Sequence, residues 1–145
     1  MREERLVIGL ASDHAGFELK TFVKACLERR NVAFLDYGTL SKESCDYPDF
    51  AHALAQGLER GECNLGIGIC GTGQGMAMTL NKHKSVRAAL CWSVEIAHLA
   101  REHNDANVLV LPGRFMEEGV AETVLDEFLN TEFAGGRHAR RVGKI

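Results

Sequence analysis

The sequence predicts an α/β fold: a single doubly wound domain with a five-stranded parallel sheet and helices on both faces. Three observations predict it. Five short apolar runs, beginning at Leu6, Val32, Leu65, Val86 and Val108, read as strands. A segment with helical spacing of apolar residues follows each run. Strands that alternate with helices in this way need crossover connections, and crossovers make a parallel sheet buried on both sides. At 145 residues, 46% of them hydrophobic, the chain is most simply one domain (1–145) large enough to bury a real core.

Each element can be justified in order. Leu6 to Ala11 is the first strand. Ser12, Asp13 and His14 then precede a helix whose apolar positions are Phe17, Leu19, Phe22, Val23, Cys26 and Leu27, and Asp13 stands where an N-cap belongs. Val32 to Tyr37 is the second strand. Gly38 to Pro48 is irregular, and Tyr47-Pro48 leads into an amphipathic helix through Phe50, Leu54 and Leu58. In the third strand Leu65, Ile67 and Ile69 alternate with Gly66 and Gly68 and end at Cys70. Glycine inside a strand lets another backbone or a ligand come close. Gly71, Thr72, Gly73, Gln74 and Gly75 form a turn, and a helix begins through Met76, Ala77, Met78, Leu80 and Asn81. Val86 to Cys91 is the fourth strand, followed by a helix carrying Ile96, Ala97, Leu99 and Ala100 that ends near His103-Asn104. Val108 to Leu111 is the fifth, and its helix runs through Val120, Val124, Leu125 and Phe128. Gly135-Gly136 breaks the chain before a basic C-terminal segment, 135–145, with Arg137, His138, Arg140, Arg141 and Lys144. No internal repeat or low-complexity stretch interrupts this alternation.

Five strands of this kind suit a flavodoxin/Rossmann-like order, and in such sheets ligands sit beyond the carboxyl ends of the strands. Those ends are Ser12-Asp13-His14, the loop near Asp46-Tyr47, Cys70 to Gly75, Trp92, and Pro112-Gly113-Arg114. Composition excludes other classes. The net charge of −3 argues against nucleic acid as the main partner. No apolar run reaches membrane-spanning length, and Met1-Arg2-Glu3-Glu4-Arg5 lacks the apolar core of a signal peptide, so the expectation is a cytoplasmic protein with no membrane association. Five cysteines, an odd number without Cys-x-x-Cys spacing, suggest neither a disulfide framework nor a zinc cluster, and no metal site is expected.

The Cys70 turn carries the chemistry. A helix start offers unpaired N–H groups and partial positive charge, so it can hold an anion or one forming during a reaction. A thiol there has a route to a lowered pKa. Near matches to other motifs fail on position. Gly66, Gly68 and Gly71 have dinucleotide-fingerprint spacing but lie inside the strand, and counting from Gly71 the third glycine falls on Met76. A P-loop lysine is missing, with Gln74 and Thr72 where it would stand. A phosphatase loop would close with arginine six residues after Cys70, where Met76 is found. The plainer alternative is a small buried hydrophobe at a strand end. Convergence of the strand-end residues on one edge favours a functional thiol.

Taken together, Ser12-Asp13-His14-Ala15-Gly16-Phe17, Asp46-Tyr47-Pro48, Cys70-Gly71-Thr72-Gly73 with Asn81-Lys82, His103-Asn104-Asp105 with Asn107-Val108-Leu109, and Gly135-Gly136-Arg137-His138 with Arg141 resemble the ribose-5-phosphate isomerase B family. The resemblance spans nearly the whole chain, in order. It implies interconversion of ribose 5-phosphate and ribulose 5-phosphate with no cofactor. Cys70 matches the base that moves a proton between C1 and C2. One branch of the family uses a glutamate at the position of Met76, which methionine cannot replace. Thr72 matches a proton shuttle beside the base, and the N–H groups of Gly71 to Gly75, Gly73 among them, match the enediolate-binding turn. His103 matches the ring-opening acid–base group, assisted by Asp13; histidine suits the role because its ordinary pKa lies near neutrality. Arg137 and Arg141 match the phosphate clamp, their four-residue spacing placing both on one helical face. His14 and Arg114 match further phosphate-side positions, and Tyr47 and Asn104 match substrate-binding positions. His52, His83 and His98 match nothing and read as surface or packing residues.

The resemblance also implies a homodimer or dimer of dimers with shared active sites. The same scaffold serves allose 6-phosphate and galactose 6-phosphate isomerases, and the galactose enzyme divides its site residues between two different chains. Holding Cys70, His103, Arg137 and Arg141 in one chain favours a self-sufficient enzyme. A non-catalytic phosphosugar-binding module is the remaining alternative, and it would have no need of Cys70.

Overall fold

The computed structural model describes residues 5–145; Met1 to Glu4, part of the polar start noted above, lie outside them. The strands are β1 (Val7–Ser12), β2 (Ala33–Asp36), β3 (Leu65–Cys70), β4 (Ala88–Leu90) and β5 (Val108–Pro112). The helices are α1 (Phe17–Arg29), α2 (Tyr47–Glu59), α3 (Gln74–Leu80), α4 (Val94–Asn104), α5 (Glu118–Asn130) and α6 (Arg137–Val142). A 3-10 turn, His14–Gly16, joins β1 to α1. Every sheet pairing is parallel, as the alternating pattern requires.

The strand order is β2-β1-β3-β5-β4, which exchanges the last two strands relative to the flavodoxin order 2-1-3-4-5. Burial explains the exchange. β5 reads Val-Leu-Val-Leu-Pro and is buried at every position, whereas the three residues of β4 are half-buried. The wholly apolar strand takes the interior, and a very short strand leaves the least backbone unpaired at the edge.

Two cores lie on the two faces of the sheet. Ile8, Leu10, Ile67, Ile69, Leu109 and Leu111 point towards α1, α4 and α5, where Leu27, Ala97, Val124, Leu125 and Phe128 meet them. Each such leucine, isoleucine or phenylalanine contributes about 1.5–3 kcal/mol relative to an exposed position. The other face carries Ala11, Val108 and Val110 and packs on Leu54, Met76 and Leu80 of α2 and α3. Glycines alternate into this second face. A Cβ on Gly68 would lie 2.8 Å from Met76 Cγ, and one on Gly66 3.2 Å from Leu54 Cδ1. The close approach that these glycines allow is therefore made by side chains of α2 and α3, and no ligand is needed to explain it.

One buried ion pair fastens the second strand. Lys20, 1% exposed, donates to Asp36 Oδ1 at 2.6 Å and to the Thr39 carbonyl. Burial lowers the Lys20 pKa. Burial alone would raise that of Asp36, but hydrogen bonds from Lys20, the Gly38 N–H and Lys24 carry it below the usual carboxylate range. Removing one partner of such a pair costs about 3–5 kcal/mol.

The segment after Gly135-Gly136 forms α6. Both glycines have positive φ (68° and 55°), a conformation that side chains resist. The helix returns to the last turn of α4, where the Ala134 N–H donates to the Glu102 carbonyl at 3.0 Å and the His138 ring stacks on His103.

Candidate active site

Three loops meet at the carboxyl edge of the sheet. After β1, Asp13 is 6% exposed and its Oδ1 accepts from the Gly16 N–H at 3.1 Å, capping the 3-10 turn. Its own N–H donates to the Ile69 carbonyl. After β3 the chain turns at Gly73 (φ 79°), where a Cβ would strike Leu90 Cδ1 at 2.4 Å, so glycine is required twice over. After β5 the Gly113 N–H donates to the Cys70 carbonyl at 2.8 Å and the Arg114 N–H to the Gly71 carbonyl at 2.9 Å. The Arg114 guanidinium reaches within 3.3 Å of where a Gly71 Cβ would be. Cys70, 4% exposed, therefore ends its strand under a knit of backbone hydrogen bonds with a cation close by.

The neighbouring side chains are held as firmly. Tyr47, first residue of α2, lies so close to Gly75 that a Cβ there would sit 2.4 Å from the ring. His14 Nδ1 accepts from the Cys45 N–H at 3.2 Å, which puts the hydrogen of a neutral ring on Nε2. Thr72 is exposed, and its hydroxyl accepts from the Gln74 N–H at 3.2 Å. Its own proton is free for another partner. The carboxyl edge thus joins Asp13, His14, Tyr47, Cys70, Gly71, Thr72, Gly73, Gly75 and Arg114, nine of the thirteen residues that the sequence singles out.

The other four are elsewhere. His103 and Asn104 end α4, and a helix between parallel strands ends where the next strand begins. Asn104 accordingly precedes β5 by four residues, on the amino edge. Arg137 and Arg141 sit on α6, which packs beside that end of α4. In register, Cys70 pairs with Pro112 and Gly66 with Val108, so the length of β5 separates the two groups. Four strand steps rise roughly 13 Å. Within one chain, His103 and the two arginines do not meet Cys70.

The amino edge has its own form. The rings of His103 and His138 stack with centroids 4.2 Å apart and planes 11° from parallel. Loss of solvent, then the charges of His103, Arg137 and Arg141, push His138 below the usual histidine value. A cavity of about 780 Å³ opens nearby, with Lys82, Arg87, Asn104, Val142 and Ile145 among its walls. Among the described residues no group of three or more His, Cys, Asp or Glu is placed to hold a metal ion, and no helix is long and apolar enough to cross a membrane.

Comparison with known proteins agrees with this architecture. The sequence model described as Ribose/Galactose Isomerase matches residues 8–145. The chain belongs to the ribose/galactose isomerase family. It is 47% identical over 139 residues to a probable ribose-5-phosphate isomerase B of Mycoplasma pneumoniae, covering 95% of this chain and 91% of that one. A crystal structure of a ribose 5-phosphate isomerase from Thermotoga maritima superposes with a TM-score of 0.94 at 48% identity, covering 97% of each chain. Ribose-5-phosphate isomerase B from Mycoplasma genitalium, solved with bound ribulose-5-phosphate, gives a TM-score of 0.92 at 41% identity, covering 98% of this chain and 95% of that one.

For this member of the ribose/galactose isomerase family the structure separates its five free thiols. Burial pushes Cys91 up to about 12 and also raises Cys26 and Cys63, so none of those three supplies a thiolate near neutral pH. Met76 is fully buried in the α2–α3 core against Gly68, beneath the sheet and not in the turn. Sequence reasoning missed several polar groups. Lys20, which no sequence motif marks, is buried. Ser12 Oγ is buried without a partner among the described residues. His98, read as a surface or packing residue, lies between two carboxylates, 2.8 Å from Glu102 and 3.0 Å from Glu127. The i, i+4 spacing of His98 and Glu102 was the available signal. His52 and His83 also pair, 2.8 Å apart, with Glu59 beyond at 2.6 Å.

Proposed function

We propose that this chain is an aldose–ketose isomerase that interconverts D-ribose 5-phosphate and D-ribulose 5-phosphate through an enediolate, with no cofactor. The observation that carries the reading is the thiol of Cys70 at the end of β3, beside an N–H-rich turn and with Met76 withdrawn into the core. The relative from Mycoplasma genitalium, with ribulose-5-phosphate bound, supports the choice of substrate. In the ribose direction His103, with Asp13, opens the furanose ring. Cys70, as thiolate, removes the proton from C2, and the carbonyl oxygen at C1 gains the negative charge. N–H groups from Gly71 to Gly75 stabilise that charge. The proton is returned to C1, while the hydroxyl proton passes from O2 to O1 with Thr72 assisting. His14 and Arg114 take the phosphate from one side and Arg137 and Arg141 from the other; Tyr47 and Asn104 contact the sugar.

The working unit in this reading is a homodimer, alone or paired into a tetramer, whose sites are shared. Support comes from the two edges: each chain holds both sets of candidate residues but keeps them a strand length apart; in this reading a two-fold axis would bring the amino edge of one copy to the carboxyl edge of another. Residues 1–145 act as one domain, with 135–145 as its basic arm. Five unpaired cysteines suit a reducing cytoplasm. A coupled assay with ribose 5-phosphate and allose 6-phosphate in parallel tests the reading. The expected result is ribulose 5-phosphate formation at a kcat/KM well above that for the six-carbon sugar. Preference for allose 6-phosphate, or turnover of neither, overturns it.

A further inference from the structure

A chain of polar contacts runs along the end of α4 and stops at His103. Glu127, on α5, faces His98 Nδ1 at 3.0 Å, and the Thr131 hydroxyl lies 3.2 Å from the same nitrogen. His98 Nε2 lies 2.8 Å from Glu102 Oε2. The other oxygen of that carboxylate, Oε1, lies 3.4 Å from His103 Nε2. The backbone holds the same place: the Glu102 carbonyl accepts from the Ala134 N–H at 3.0 Å, and Arg101 donates to the Thr131 and Ala106 carbonyls at 3.2 and 2.6 Å. One face of the His103 ring is covered by His138. The ring is thus stacked on one face, with a carboxylate 3.4 Å from one nitrogen, and that carboxylate is itself held by His98.

We propose that Glu102 is a positioning residue for the acid–base work of His103, with His98 and Glu127 holding the Glu102 carboxylate in place; this rests on the reading of His103 as the group that opens the sugar ring. A carboxylate at Nε2 keeps the hydrogen of the neutral imidazole on that side and stabilises the imidazolium as it forms. Nδ1 is then the nitrogen that exchanges protons with the sugar. In ring opening Nδ1 takes the proton of the C1 hydroxyl, the C1–O4 bond breaks with its electron pair going to O4, and the same proton is delivered to O4. The hemiacetal becomes an open aldehyde, and His103 ends as it began. Glu102 touches no substrate and acts only through the ring.

The test separates ring opening from proton transfer between carbons. Ribose 5-phosphate must be opened, whereas 4-deoxyribose 5-phosphate has no hydroxyl with which to close a furanose and stays open. Both are assayed with the wild type, Glu102→Gln, Glu102→Ala and His103→Ala in the full-length protein, with thermal melts alongside. The expected result is a fall of roughly tenfold in kcat for ribose 5-phosphate in both Glu102 variants, with KM within about twofold and the open analogue within about twofold of wild type. Unchanged turnover of ribose 5-phosphate, or an equal loss on both sugars, overturns the inference. If His103→Ala slows ribose 5-phosphate selectively and the Glu102 variants do not, Glu102 alone loses its role. If His103→Ala also leaves ribose 5-phosphate turnover intact, the ring-opening role of His103 fails, and that of Glu102 with it.

Discussion

The two edges of the sheet present candidate functional groups built from different materials. At the carboxyl edge the buried candidate groups are strand ends and backbone, with Thr72, Tyr47 and Arg114 exposed around them. Asp13 and Cys70 are 6% and 4% exposed, and the loops after β1, β3 and β5 hydrogen-bond to one another. At the amino edge the candidate groups are side chains on helices, with Arg137, Arg141 and Asn104 exposed and His103 half-buried. A buried thiol framed by N–H groups is pre-organised, so it costs little rearrangement when charge develops. Long exposed arginines are adaptable and suit capture of a phosphate that arrives from solvent. In the proposed reading the carboxyl edge supplies the proton transfer between carbons, and the amino edge supplies the ring-opening histidine and the arginine side of the phosphate clamp, so a single copy holds part of the machinery at each end.

The largest effect expected from breaking that division is at the thiol. Cys70→Ala should lower turnover at least about a hundredfold while binding of ribose 5-phosphate, followed by calorimetry, persists. Iodoacetate should inactivate the wild type, with substrate protecting it, while Cys26, Cys63 and Cys91 stay unmodified because burial raises their pKa values. Near-normal turnover by Cys70→Ala would remove the carboxyl edge from the chemistry altogether.

How much of this could be read from the sequence differed between the two edges. The strand ends were legible because apolar periodicity marks strands well, and a parallel sheet sends all their carboxyl ends to one side. β1, β3 and β5 fall within one residue of where the pattern puts them. The pattern makes β4 longer than it is: the strand holds three residues, Ala88–Leu90, with Val86 buried beyond it and Cys91 adding only a single N–H bond to Val110. The exchange of β4 and β5 left no mark in the alternation of elements. It was written more faintly, in the contrast between Val-Leu-Val-Leu-Pro and Arg-Ala-Ala-Leu. For the basic segment the sequence offers only the four-residue spacing of Arg137 and Arg141, because six residues after two glycines are too few for a strong helical period; in the structure these residues form α6 and pack on α4. The places of Glu127 and Thr131 beside His98 were invisible for a related reason. Their meaning depends on α5 lying beside α4, which is a tertiary fact.

A smaller effect is expected at the amino edge. Arg137→Ala or Arg141→Ala should raise KM for ribose 5-phosphate about tenfold and lower kcat by less, since remote phosphate binding also helps to orient the reacting carbons. Unphosphorylated ribose, a poor substrate, should be nearly indifferent to either change. Unaltered KM in both variants would reduce α6 to a solvated end and leave the contrast between the edges without a function.

The smallest expected departure from wild type comes from an experiment that joins the two edges again. Cys70→Ala and His103→Ala, each inactive alone, are unfolded or dissociated together in equal amounts and reassembled. If sites are shared, a mixed dimer collects both lesions in one site and leaves the other intact. Random pairing makes about half of the dimers mixed, and each of these has one good site in two. Activity should therefore return to roughly a quarter of wild type, a fourfold deficit where each parent shows almost none. The proportion of mixed dimers is checked by native mass spectrometry with one variant isotope-labelled. The geometry gives the result its force. Were His103 to serve the Cys70 of its own chain, every site in the mixture would carry a lesion and no reassortment could restore turnover. Mixed dimers without activity would thus mean that the strand length between the two edges is bridged inside one subunit, by a rearrangement of α4 and α6.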